Sequence, residues 1–252
     1  MSAYPTSLEI PLTITAEDII ARNCHQNPIT DHPFFQKIRR EPPNLSAYWT
    51  YFANFEPLTI SVPDWFASLL LRVEQIKLKG LLAAIIYDEL GRGDLTKIHS
   101  TLMTKLVRGL DRWSVKSERF DPLAPGKMIG SEFDKLYFGE MNDDFFVLGS
   151  IVAGELYGGQ MAFFMADEVR RQDRVALDIF EWLFVHEEIE ADHANVSHVM
   201  AEILPTSGAK FESIMAGSKW KQNKFWQWLD GIYRVAYGEE PSQMTSISQA
   251  RF

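Results

Sequence analysis

The 252-residue chain is 46% hydrophobic and 13% aromatic, enough apolar matter for a sizeable folded core, which excludes a disordered or fibrous protein. Its 25 basic and 34 acidic residues leave a net charge of −9, the wrong sign for the diffuse attraction that holds nucleic acid or an anionic membrane surface. The longest apolar runs, such as Leu81 to Tyr87, fall far short of the roughly 20 residues a bilayer-spanning helix needs. The single cysteine, Cys24, leaves no intramolecular disulfide, and the first residues lack a basic region followed by an apolar one, so the cytoplasm is the expected address.

No stretch alternates apolar and polar residues as a strand would, and prolines and glycines separate long segments of helical period. The expectation is an all-α bundle of about seven or more helices in a single domain over 1–252, with 1–14 and 240–252 as loose tails. Thr15 ahead of Ala16-Glu17-Asp18 reads as an N-cap with acidic residues in the first turn, opening a helix to about Asn23. His32-Pro33 starts a short helix through Ile38, Glu41-Pro42-Pro43 stops it, and Ser46 begins an aromatic helix that Pro57 and Pro63 are expected to break. A helix from Trp65 to about Leu90 then meets the break Gly91-Arg92-Gly93, and another runs from Leu95 to about Trp113. Residues 114–126 read as loop, followed by helices over about 129–140, 143–170, 174–203 and 219–237.

The residues able to do chemistry lie inside these helices. At about 100° per residue, His186, Glu190 and His193 fall within roughly 60° of one another on a face that also carries Trp182 and Leu183. Two imidazoles and a carboxylate on one face suit non-haem iron, manganese or zinc, whereas the same residues on a solvated face would only form a weak pair. Glu155 sits among Ile151, Val152, Gly159 and Ala162, where an ionised carboxylate must be paired, metal-bound or protonated. Gly154, Gly158 and Gly159 beside it mark either a close helix contact or space for a ligand. Glu89 and His99 interrupt further apolar faces. Three carboxylates and three histidines on three or four helices have the stoichiometry of a dimetal carboxylate site, and two divalent cations would neutralise the three acids. The ferritin arrangement requires two Glu-x-x-His pairs, and only Glu190 to His193 is present.

This constellation resembles the haem-oxygenase-like dimetal oxidases, and more narrowly the CADD-like proteins. Their pattern is a glutamate and a histidine around a helix break, a glutamate on a later helix, and His-x3-Asp/Glu-x2-His on the next. Glu89 and His99, then Glu155, then His186, Glu190 and His193 match it in order, and His32-Pro33-Phe34-Phe35 is similar to the family's His-Pro-Phe helix opening. The resemblance covers about residues 30–205, and the wide interval from Glu89 to His99 looks more like the alkene-forming and amino-acid-cleaving members.

What the resemblance implies is a di-iron enzyme with the six residues as metal ligands, manganese being an alternative ion, and O2 as co-substrate. The substrate would be a small apolar or amphiphilic metabolite of the fatty-acid, amino-acid or aromatic-acid type. Asp88, Asp192 and Tyr157 are the expected neighbours that orient the ligands, Phe163 and Phe164 the expected pocket lining, and a homodimer the expected assembly. Three other readings stand beside it. One is a non-catalytic interaction module with a structural metal. Another is a haem enzyme, because 154–160 is similar to the distal helix of haem oxygenases and His25 offers a proximal imidazole, but haem leaves the six candidate ligands without a role. The third is a metal-free, thiaminase-like enzyme, for which Cys24 lies too near the start.

Overall fold

The computed structural model describes residues 16–41, 44–139, 143–171, 177–186 and 204–241. Its helices are α1 (Ala16–Gln26), α2 (Pro33–Arg40), α3 (Leu45–Arg72), α4 (Ile76–Glu89), α5 (His99–Gly109), α6 (Ala124–Phe138), α7 (Asp144–Arg170) and α8 (Gly208–Tyr237). A 3₁₀ turn at Leu177–Phe180 leads into helical residues 181–186, and no strand occurs among the described residues. Side chains supply several of the starts. His32 Nδ1 accepts from Phe34 N, Asn44 from Ala47 N and Asp143 from Phe145 N, each answering an amide that the first turn of a helix leaves without a partner.

Besides the helix expected from Leu95 to Trp113, which is α-helical only over His99–Gly109 between 3₁₀ turns at Leu95–Lys97 and Asp111–Trp113, the sequence expectations fail at four boundaries. Pro57 and Pro63 do not break α3, which runs through both. The cost of the missing amide bonds is met by packing, because Tyr51, Phe52, Trp65 and Phe66 on that one helix are all buried in the core. The helix expected from Trp65 to Leu90 is two, separated at Val73 by an extended residue; a straight one would be about 39 Å long. By turning, α4 lies back on α3 and buries Leu78, Leu82 and Ile85. The third miss is α6, which starts at Ala124, inside the expected loop. Its Gly126 amide donates to Asn54 Oδ1 (2.7 Å), while Asn54 Nδ2 donates to Pro122 O (3.0 Å), so a buried side chain of α3 secures its start. Finally α8 begins at Gly208, about three turns early, because Ile214 and Gly217 seat it on α7. The expected helix over 174–203 and both tails lie partly or wholly outside the described residues.

The contact between α7 and α8 is made through backbone. A Cβ at Gly149 would stand 1.9 Å from Ile214 O, and one at Gly217 would stand 1.9 Å from Phe146 O. Two helices approach this closely only where side chains are absent from both surfaces. Around this crossing α3 packs on α4, α5, α6 and α8, and α1 closes over α7 and α8. By contrast, a Cβ at Gly158 would meet nothing within 4 Å.

Gly149→Ala and Gly217→Ala are therefore each expected to cost about 3 kcal/mol, while Gly158→Ala is neutral or stabilising by about 0.5–1 kcal/mol. Urea unfolding midpoints of the three variants, compared at constant slope, check both signs.

Candidate metal centre

Glu89 is the last residue of α4 and His99 the first of α5. The segment between them reverses the chain through three consecutive left-handed residues, Gly91 (φ 82°), Arg92 (φ 54°) and Gly93 (φ 89°). Only glycine fits at Gly91, where a Cβ would lie 2.9 Å from both Lys97 C and Ile98 N. Arg92 is held in its unusual conformation by its guanidinium on the Asp88 carboxylate (2.6 and 3.2 Å) and by Tyr87 Oη, which donates to its carbonyl. This reversal sets His99 Nδ1 3.0 Å from Glu89 Oε2.

His99 is 1% exposed, and its Nε2 is buried with no hydrogen-bond partner among the described residues. In the Nδ1–H tautomer, which a carboxylate facing Nδ1 favours, Nε2 presents a bare lone pair to the interior. The ring centroid of His186 lies 4.4 Å from that of His99. The His186 Nδ1–H donates to Trp182 O (2.9 Å), which fixes the tautomer and turns Nε2 into the ligand nitrogen, and the ring lies against the Trp182 indole at 3.9 Å. One ligand atom from each of Glu89, His99 and His186 falls within 4.8 Å of the others. An orphaned imidazole nitrogen beside a carboxylate and a second oriented imidazole is a donor set for iron, manganese or zinc. It also places an acid at the negative end of the α4 dipole, where a nearby cation is the natural compensation.

Glu89 and His186 open into a cavity of about 100 Å³ that Glu155, Gly154 and Gly158 line from α7. Much of its remaining wall is aromatic, with Phe55, Trp65 and Phe66 of α3, Phe133 and Tyr137 of α6, and Trp182, and Leu58, Val62 and Ile151 add aliphatic surface. Phe163 and Phe164 are not part of it. Phe163 is 46% exposed, and Phe164 packs on Phe35 and Arg39 at the other side of α7. Tyr157 also points elsewhere, since two residues turn a helix by about 200° from Glu155, and its hydroxyl donates to Asn27 O (2.7 Å). Asp88 does stand next to the centre, bound to Arg92. Glu190, Asp192 and His193 lie outside the described residues.

One charged cavity residue escaped the sequence reading. Lys221 of α8 is 5% exposed and lies against Gly154, where a Cβ would come within 3.0 Å of its Cε. Burial pushes its ammonium down to about 7, against the opposing pull of the Glu155 carboxylate. The available signal was a lysine in register with Ile214, Gly217, Phe225 and Trp228 on the apolar face of α8. Cys24, the only thiol, is buried in α1 with its pKa raised to about 12 by desolvation, which leaves it inert at neutral pH.

The chain is an all-helical bundle with a largely buried Glu-His-His cluster that could hold a metal ion, set beside a cavity rich in aromatic side chains. A CADD-like protein of unknown function from Nostoc punctiforme superimposes with a TM-score of 0.66 at 14% identity, covering 90% of this chain and 97% of that one. A domain of unknown function with a haem-oxygenase-like fold from Shewanella denitrificans gives a TM-score of 0.66 at 12% identity, covering 89% and 95%. The sequence profile of the iron-containing redox enzymes matches residues 50–222, and the chain belongs to that family. No curated protein is significantly similar to it. No helix among the described residues is long and apolar enough to cross a membrane.

Gly91→Ala should separate Glu89 from His99 and lower iron content at least as much as His99→Ala, with helical content retained in both. Iron analysis and far-ultraviolet circular dichroism of the purified variants decide it. Full iron in Gly91→Ala would show that the reversal does not set the ligand pair.

Proposed function

We propose that the chain is a non-haem di-iron oxidase or oxygenase that uses O2 to oxidise a small apolar or amphiphilic organic molecule at a C–H, C–C or N–H bond. The observation that carries this is the bare Nε2 of buried His99, next to Glu89 and His186 at the edge of an aromatic cavity that also contains Glu155. Membership of an iron-containing redox family supports iron as the metal. Glu89, His99, Glu155 and His186, with Glu190 and His193 completing the set by sequence, would hold two ions. Bound there, ferrous iron supplies the O2 activation that protein side chains cannot.

The chain's own residues have separate tasks. Trp182 fixes the His186 ring by its carbonyl and covers it with its indole, excluding water from one side. Asp88 and Arg92 clamp the reversal that delivers Glu89 and His99. Aromatic walls orient an organic substrate against the centre and keep bulk water out. A haem enzyme fits less well, because His25 is exposed at the end of α1 and haem leaves the Glu89, His99 and His186 cluster without a role.

Protein from iron-supplemented cells should contain about two irons per chain, and the ferrous form should consume O2. His186→Ala and His193→Ala should each lose about one iron with the helical fold intact. One zinc at full occupancy, or indifference of O2 uptake to a chelator, would point instead to a structural metal in an interaction module.

A further inference from the structure

A lysine is among the residues least often buried, and when buried it is normally ion-paired. Among the described residues Lys221 has no such partner: it is 5% exposed, no carboxylate of theirs lies within 4 Å of its Nζ, and it stands against the rings of Phe133 (3.4 Å to the centroid), Phe225 (5.2 Å) and Tyr137 (5.6 Å). Those three rings and the lysine all line the cavity next to Glu89 and His186. Glu155 attracts it from a distance, but a Glu155 committed to metal has its charge already spoken for. Two divalent cations exceed the charge of Glu89, Glu155 and Glu190 by one, and Lys221 adds a second positive charge. A cavity with surplus positive charge at one wall and aromatic rings at others is shaped for an anion with an apolar body.

We propose that Lys221 is the anchor for a carboxylate: the cavity binds a small organic acid, its carboxylate paired with the lysine ammonium and its apolar body held among the rings. This deepens the oxidase reading and rests on it for the chemistry, but not for the binding. The volume of about 100 Å³ is below the roughly 150 Å³ of a cavity that accepts benzene, so the body is a short chain, or a single ring that the surrounding side chains shift to admit.

The test uses matched acid and amide probes, phenylacetate with phenylacetamide and hexanoate with hexanamide, at about pH 6, on the acid side of the lysine's lowered value of about 7. Trp65 and Trp182 in the cavity wall report binding through their fluorescence. Each titration is run on anaerobic ferrous-loaded protein and again on chelated protein, for wild type, Lys221→Met and Lys221→Arg, with iron content measured throughout. Wild type should prefer the acid of at least one pair about tenfold, as a charge-assisted contact provides. Lys221→Met should bind acid and amide alike with amide affinity and iron content unchanged, and Lys221→Arg should keep the preference in part. The proposal is overturned by an equal preference in wild type and Lys221→Met, by no preference with either pair, or by iron loss in Lys221→Met, which would make the lysine a support of the ligands. Wild type that binds no iron but retains a lysine-dependent preference would sink the oxidase reading and leave the carboxylate anchor standing.

Discussion

The architecture depends on one steric constraint, the contact of α7 and α8 backbone to backbone at Gly149 and Gly217. Side-chain packing between helices tolerates small adjustments, but a carbonyl where a Cβ would have to stand tolerates none. That fixes the two long helices in register. Glu155 lies less than two turns beyond Gly149, and Lys221 about one turn beyond Gly217, so the same crossing sets which acid and which base reach the cavity. Gly154 continues the logic by leaving room for the lysine stem.

The metal-ligand cluster is assembled differently. Glu89 and His99 come from the facing ends of two helices and meet because the backbone between them reverses, whereas His186 is oriented by a carbonyl one turn earlier on its own helix. The first pair depends on left-handed conformations at residues 91–93, the second only on helical geometry. Polar atoms left without partners in an otherwise packed interior concentrate the functional argument, since burial of an imidazole lone pair is unfavourable unless something binds to it. The buried lysine makes the same point with a full charge.

Much of this was legible in the sequence. Periodicity without alternation gave an all-helical chain, and the ordered acids and histidines gave the haem-oxygenase-like resemblance that the fold bears out. The glycine break between Glu89 and His99 was readable as a place where two helix ends meet. Periodicity assigns residues to faces but does not say which helix each face meets, and that is why Tyr157 was expected beside the ligands and Phe163 and Phe164 in the pocket wall, where none of them lies. Pro57 and Pro63 misled because local propensity is weak against an aromatic core that buries both ends of α3. Lys221 went unremarked because, in a helix that also carries Lys210, Lys219 and Lys224, nothing local in the sequence beyond its register marks one lysine as buried.

The reversal at residues 91–97 also bears on how such a site changes over time. Core ligands on long helices move only if the helices repack, but the distance between Glu89 and His99 is governed by a short surface connection whose length enters its closure entropy only weakly. Residues gained or lost there would alter the opening between the two ligands while α4 and α5 kept their packing on α3. The centre thus has one adjustable jaw and one fixed one, and divergence in chemistry can proceed through the loop at little expense to the stability of the bundle.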